Sequence, residues 1–186
     1  LQPIVDVLNE LASARYGSSI VLCTATQPAL ETETRFFKGF SSGTVRDIVP
    51  REQSKQHFQL LKRVDYQPRL EPILWNTLAK QIYDEGQVLV VLNTRKDALK
   101  LLDELEKLGA KNIFHLSTLL CGQHRREVLG QVRECLEKSQ PIKLISTQVV
   151  EAGVDLDFPA VYRAIGPLER IVQAAGRCNR EGSLFE

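Results

Sequence analysis

The sequence predicts an α/β protein, a parallel sheet with helices on both faces. Three observations carry that expectation. From about residue 72 to residue 177, apolar runs of strand length alternate with segments of helical periodicity, and strands that alternate with helices build parallel sheets. The run Val88 to Leu92 is apolar at consecutive positions, which fits a strand covered on both faces. A chain of 186 residues with 43% hydrophobic content is enough for one cored domain, or one domain plus an appendage.

The elements follow in order. Ile4 to Ala14 has apolar residues at 4, 5, 7, 8 and 11, a helical spacing. Ser18 to Cys23 reads as a short strand ending in the hydroxyls of Thr24 and Thr26. From Glu31 to about Ser54 the pattern breaks up among Gly39, Ser41, Ser42, Gly43 and Pro50, so a linker or surface excursion is expected there, with a short extended piece at Val45 to Val49. Phe58 to Tyr66 is a candidate edge strand. After Pro68 and Pro72 the sequence predicts helix 72–84, strand 87–92, helix 95–108, strand 112–117, helix 122–137, strand 142–146, strand 160–164 and helix 168–177. Residues 1–30 then close a preceding domain, 31–57 form the linker or excursion, and 58–186 form the α/β domain.

Composition excludes several function classes. A net charge of +1 does not suit a generally basic nucleic-acid coat, so any DNA contact must come from local groups at strand ends. The longest apolar run, Val88 to Leu92, is too short to cross a bilayer, so no membrane partner and a cytoplasmic location are expected. Cys23, Cys121, Cys135 and Cys178 show no paired spacing; reduced, unliganded thiols are expected, and no metal site. The chain begins Leu-Gln-Pro and contains no Met, which reads as a piece of a longer product. It has neither a GxxxxGKS/T phosphate loop nor an acidic magnesium-binding run. A nucleoside-triphosphate hydrolase needs both, so these residues alone are expected to be inactive.

The chemistry concentrates between Thr147 and Gly182. Gln173, Arg177 and Arg180 stand at spacings of four and three, so on a helix they share one face. Two arginines aimed the same way suit a polyanion, because a planar, permanently charged guanidinium matches a phosphoryl group bidentately. The plain alternative is a solvated helix face. Thr147-Gln148 and Glu151-Ala152-Gly153-Val154-Asp155 follow the strand pattern Ile142 to Ser146, at the kind of strand end where phosphates and nucleotides bind in open α/β sheets. Thr147 offers a hydroxyl and a backbone N–H. Gly153 permits either a backbone conformation or a close approach that a side chain would block, and Asp155 can accept from a ribose, hold an arginine or cap its own loop.

Two earlier strand ends repeat the arrangement. Asn93, Thr94 and Arg95 follow one strand and start a helix, where an amide, a hydroxyl and helix N–H groups converge on a spot that suits a DNA phosphate. Capping by Thr94 can coexist with that contact. Ser117 and Thr118, then His124 and Arg125, do the same one strand along. With Thr147 they could track successive phosphates of a single strand, contacts that are sequence-independent and weaken with salt.

The order STQVVEAGVDLDFP then QAAGRCNREG resembles motifs V and VI of superfamily 2 helicases. The Cys-Asn inside the arginine motif is the variant of the CRISPR-associated helicase-nucleases of type I systems. VLCTATQPAL at Val21 to Leu30 resembles that family's motif III, VLVVLNTRKDA at Val88 to Ala98 its motif IV, and HLSTLLCGQHRREVL from His115 the segment that follows. The likeness runs in order from about residue 20 to 182.

The resemblance implies a RecA-like parallel sheet, the helicase C-terminal domain, preceded by the last helix and strand of the first RecA-like domain. It implies an ATP-dependent helicase or translocase moving 3′-to-5′ on single-stranded DNA in antiviral defence. ATP and Mg2+ would be held mainly by the preceding domain, a metal-dependent nuclease would lie upstream, and an RNA-guided CRISPR surveillance complex would recruit the whole. By residue, it implies that Arg177 and Arg180 are catalytic, with Arg180 the arginine finger, and that Gly153, Asp155 and Gln173 join them on the nucleotide side. Asn93, Thr94, Arg95, Ser117, Thr118, His124, Arg125, Thr147 and Gln148 would meet nucleic acid, and Thr24 and Thr26 would couple the two. Other superfamily 2 motors, an RNA helicase or a repair translocase, share motifs V and VI. A non-catalytic RecA-like nucleic-acid-binding module is the alternative outside enzymes.

Overall fold

The computed structural model describes residues 2–23, 30, 33–34, 37–40, 45–151 and 153–182. The chain divides into two compact units, Leu1–Leu61 and Lys62–Glu186. In the first, helix α1 spans Gln2–Ala12, two short antiparallel strands follow at β1 (Glu33–Thr34) and β2 (Phe37–Lys38), and helix α2 spans Arg51–Leu60. The expected helix near the N-terminus is present. Ser18–Cys23 has no strand partner among the described residues and carries no strand, since a β-strand exists only through the ladder it shares with a neighbour. Val45 to Val49 likewise forms none. Thr24 and Thr26 lie outside the described residues.

The second unit holds α3 (Trp75–Asp84), β3 (Gln87–Val91), α4 (Arg95–Lys107), β4 (Ile113–Leu116), α5 (Gly122–Glu137), β5 (Ile142–Ser146), a 3-10 turn (Gln148–Val150), β6 (Ala160–Arg163) and α6 (Leu168–Ala175). The strands order β4-β5-β3-β6, all pairings parallel, with Val90 opposite both Ile145 and Tyr162. This is the parallel sheet that the sequence predicts. The edge strand expected over Phe58 to Tyr66 is absent: α2 runs to Leu60 and the chain then continues without regular structure. Phe58, Leu60, Leu61 and Tyr66 are all exposed, so this segment has no covered face to hold it against a sheet.

Alternate residues of the central strands feed two cores. Leu89, Val91, Ile142 and Leu144 pack with Val128, Leu129 and Val132 of α5 and with Leu156, Phe158 and Ala174. Val88, Val90 and Ile145 pack on the other face with Ala79 and Ile82 of α3 and with Ala98, Leu101 and Leu105 of α4. All five residues of β5 are buried, which is why its sequence lacks the polar alternation of a half-exposed strand. Leu101 and Leu105 are fully buried, and cutting either to Ala would cost about 2–5 kcal/mol through lost transfer and the cavity left.

Candidate functional site

Because the sheet is parallel, every strand delivers its carboxyl end to the same edge, and the polar residues follow there. Asn93, Thr94 and Arg95 after β3, Ser117 and Thr118 after β4, and Thr147 and Gln148 after β5 line one groove of about 800 Å³. Lys96, Leu99, His115, Leu119 and Leu120 complete its walls. The groove has two permanent cations, Arg95 and Lys96, and no carboxylate in its lining. That charge pattern favours an anion.

Each member is held by a local cause. Thr94 caps α4: its Oγ1 accepts from the Asp97 backbone N–H at 3.1 Å, and the hydroxyl donates to Asp97 Oδ2 at 2.7 Å. The cap pins the first turn of α4 where the groove meets it. Asn93 is largely engaged, donating from Nδ2 to the Ile165 carbonyl at 2.8 Å and accepting from Arg163 at 2.7 Å, which leaves one amide hydrogen for a ligand. Thr147 is only 2% exposed, its N–H donates to the Leu116 carbonyl, and its hydroxyl has no partner among the described residues. His115 Nδ1 sits 3.1 Å from the Ile145 carbonyl, and burial outweighs that bond to lower its pKa from the ordinary 6.5. A neutral ring with Nδ1–H donating leaves Nε2 as an acceptor. His124 and Arg125 lie in the first turn of α5 and are not part of the groove lining.

The arginine motif departs from expectation. Helix α6 ends at Ala175, so Gln173, Arg177 and Arg180 do not share a helix face. After Gly176 the chain leaves the helix and lies parallel beside Phe158: Phe158 N–H donates to the Arg177 carbonyl at 2.8 Å and Asn179 N–H to the Phe158 carbonyl at 3.0 Å. Backbone pairing with Phe158 wins over another helical turn. Arg177 is half-buried and donates from Nε to the Val150 carbonyl (3.0 Å) and from an Nη to the Glu151 carbonyl (3.2 Å). Its pKa is lowered by burial first and by the Arg180 charge second, with Asp155 opposing. Arg180 is exposed and its guanidinium meets Asp155 at 3.1 Å, the two side chains 44% and 79% exposed. Gly153 has φ +71°, and a Cβ there would meet nothing within 4 Å. Conformation, not close approach, is therefore what that position requires.

Several residues that sequence reasoning missed organise this motif. Asp157 accepts from the backbone N–H groups of Arg180 (2.7 Å) and Glu181 (3.1 Å). Arg63 donates to the Arg180 carbonyl and accepts at its own carbonyl from Asn179 Nδ2. Arg163 and Glu151 form an ion pair. The available signal was a charge at the end of an otherwise uncharged strand, AVYR, which demands a partner when buried. A second cleft, about 520 Å³, adjoins Arg180 and is lined by four carboxylates, Glu137, Asp155, Asp157 and Glu181, against the guanidiniums of Arg133 and Arg180. Excess negative charge makes it unfit to hold phosphates by itself.

Known proteins match this architecture. Residues 84–183 match the family model for the C-terminal region of the CRISPR-associated nuclease/helicase Cas3, more than half of the chain. The chain belongs to this family. A Cas3 nuclease/helicase of Haloferax volcanii is 55% identical over 56 residues, covering 30% of this chain and 6% of that protein. The Cas3 of Methanothermobacter thermautotrophicus is 28% identical over 191 residues, covering 95% and 21% respectively. The chain thus spans a small part of the length of these Cas3 relatives. Among solved structures, T. fusca Cas3 with ADP superposes with a TM-score of 0.53 at 24% identity over 66% of this chain and 16% of that one. A chain of a CRISPR RNA-guided surveillance complex in a pre-nicking state superposes with a TM-score of 0.52 at 23% identity over 65% and 16%. These superpositions show a RecA-like fold shared with Cas3. Among the described residues, no helix is long and apolar enough to cross a membrane.

Proposed function

We propose that this chain is the C-terminal motor half of an ATP-dependent helicase or translocase that moves 3′-to-5′ on single-stranded DNA in CRISPR antiviral defence, in the cytoplasm. The observation that carries it is the groove after β3, β4 and β5, which gathers seven polar residues, two cations and no carboxylate on a Cas3-family domain. Side-chain and backbone donors at successive strand ends grip phosphates without reading sequence, as a translocating motor requires. Leu99, Leu119 and Leu120 give the same groove apolar surface for the bases.

Residues 1–30 would be the end of the first RecA-like domain, with Thr24 and Thr26 coupling its nucleotide site to DNA. That domain would bring the phosphate loop and Mg2+. The acidic cleft beside Arg180 supports an arginine that projects to a triphosphate held elsewhere, not one that binds it locally. Arg180 is the finger, with Arg177, Gly153, Asp155 and Gln173 behind it. Recruitment by an RNA-guided complex and an upstream nuclease belong to the same proposal, supported by the names of the relatives.

The test is ATP hydrolysis by the full-length protein carrying this chain, with and without single-stranded DNA, beside Arg180→Ala and Arg180→Lys. Loss of a finger costs about 10³-fold or more in turnover, and lysine keeps the charge without the fork. Wild-type hydrolysis should require DNA and both variants should lose it. Equal hydrolysis in all three removes Arg180 from the chemistry; no hydrolysis in any, with DNA still bound, favours a binding module.

A further inference from the structure

Arg163 ends β6 with a guanidinium 6% exposed, 3.0 Å from a Glu151 carboxylate that is also 6% exposed. Two charges removed from water need a reason, because such a pair often contributes no more stability than well-packed apolar side chains of the same volume. Among the described residues this pair is also incompletely bonded: its geometry gives Glu151 Oε1 no hydrogen bond despite the ion-pair contact, and Arg163 Nε has none. Stability therefore explains it poorly.

What the pair touches explains it better. On one side Arg163 donates to Asn93 Oδ1 at 2.7 Å and so fixes the amide at the entrance of the groove. On the other, the backbone carbonyl of Glu151 accepts from Arg177 at 3.2 Å, next to the Val150 carbonyl that accepts from the same guanidinium. Arg170, largely exposed, reaches the second Glu151 oxygen at 4.0 Å. Gly166 makes room: a Cβ there would stand 3.3 Å from an Arg163 nitrogen and 3.5 Å from Asn93 Oδ1. One contiguous chain of contacts thus joins the first groove residue to the first arginine of the motif.

We infer that Arg163 and Glu151 are a buried positioning pair that links the polar groove to the arginine motif, so that occupancy of the groove sets the position of Arg177. Neither residue touches the reacting atoms; Arg163 acts through Asn93 and Glu151 through Arg177. The inference rests on the function proposed above. With Arg170 also within reach of Glu151, the carboxylate can exchange one arginine for the other without being left unpaired.

The experiment measures, in the full-length protein, the ratio of ATP hydrolysis with saturating oligothymidylate to hydrolysis without it, together with the melting temperature. The variants are Glu151→Gln and the double substitution Arg163→Met with Glu151→Leu. The double variant should melt within about 3 °C of wild type, as apolar replacement of a buried pair usually allows. Its stimulation ratio should fall about tenfold, within the ordinary range of coupling between sites. Glu151→Gln, which keeps size and hydrogen bonding, should show the same fall. A purely structural pair would lower both rates together and leave the ratio unchanged, and that overturns the inference. So does loss of a cooperative melt in both variants. A wild type that DNA does not stimulate removes the motor function and this inference with it; a stimulated wild type with equally stimulated variants removes the inference alone.

Discussion

Replacing Asp157 should loosen the arginine motif, by an amount that follows from its contacts. The carboxylate accepts from two consecutive backbone N–H groups, Arg180 at 2.7 Å and Glu181 at 3.1 Å, and so closes the turn that begins where the chain pairs with Phe158. A hydrogen bond to a charged acceptor contributes about 1.5–3 kcal/mol. Asp157 is half-exposed, so water replaces part of the loss and each bond falls at or below the lower end. Asp157→Ala should therefore cost about 2 kcal/mol and Asp157→Asn, which keeps one acceptor, about half of that. The chain has one tryptophan, Trp75, packed against the α3–α4 core of the second unit, so urea unfolding followed by its fluorescence reports this unit. At about 2–4 °C per kcal/mol for a chain of this size, the alanine variant should melt some 4–8 °C lower. An alanine variant within about 0.5 kcal/mol of wild type, the ordinary scatter of a surface substitution, would show that Asp157 does not hold the turn.

Other expectations are as specific. Thr94→Ala should cost about 1 kcal/mol through loss of the α4 cap while Thr94→Ser costs little, read by the same unfolding. Arg95→Ala should weaken single-stranded DNA binding by the full-length protein and reduce the slope of log affinity against log salt by about 0.7, the value for one phosphate contact on a single strand. An unchanged slope would take Arg95 out of the groove's phosphate contacts. His115 has its pKa lowered in the fold by burial, so the unfolded chain binds more protons in that range. The stability due to neutral His115 is complete above pH 6.5 and lost as pH falls from there through the folded pKa. Unfolding of wild type and His115→Gln at pH 7.5 and 5.5 checks this: the variant should lose part of the acid sensitivity.

The parts of the fold legible in the sequence are those where local pattern and tertiary environment agree. From residue 72 on, every expected strand and helix is present, because consecutive apolar residues such as Val88 to Leu92 belong to strands covered on both faces, and parallel pairing then carries Asn93, Ser117 and Thr147 to one edge. Phe58 to Tyr66 misled because most of its apolar residues, Phe58, Leu60, Leu61 and Tyr66, are exposed, so composition resembled a strand where little covers one. The spacing of Gln173, Arg177 and Arg180 misled for a different reason. Helical periodicity assumes that the helix continues, and here a backbone pairing with Phe158, remote in sequence, ends it. The role of Asp157 and the partner of Glu151, a residue named with its motif, were not legible because those partners are backbone groups and a buried arginine, which no local spacing records.

The two arginines of the motif are opposites in the structure. Arg177 has its side chain committed: two carbonyls hold the guanidinium, and burial disfavours its charge. Moving it toward a ligand would break both bonds and expose the carbonyls of the very loop that carries Gly153 and Asp155. Arg180 has its backbone committed instead, held by Asp157, by Arg63 and through the neighbouring Asn179 by Phe158. Among the described residues its guanidinium pairs only with a largely exposed Asp155, an interaction worth about 0–1 kcal/mol at a surface. A fixed root and a lightly held tip are what the proposed finger role asks of Arg180. Arg177 has the inverse arrangement, which suits a strut that transmits the position of the loop to the motif. Where each arginine spends its hydrogen bonds supports the proposal that Arg180 is the reaching residue.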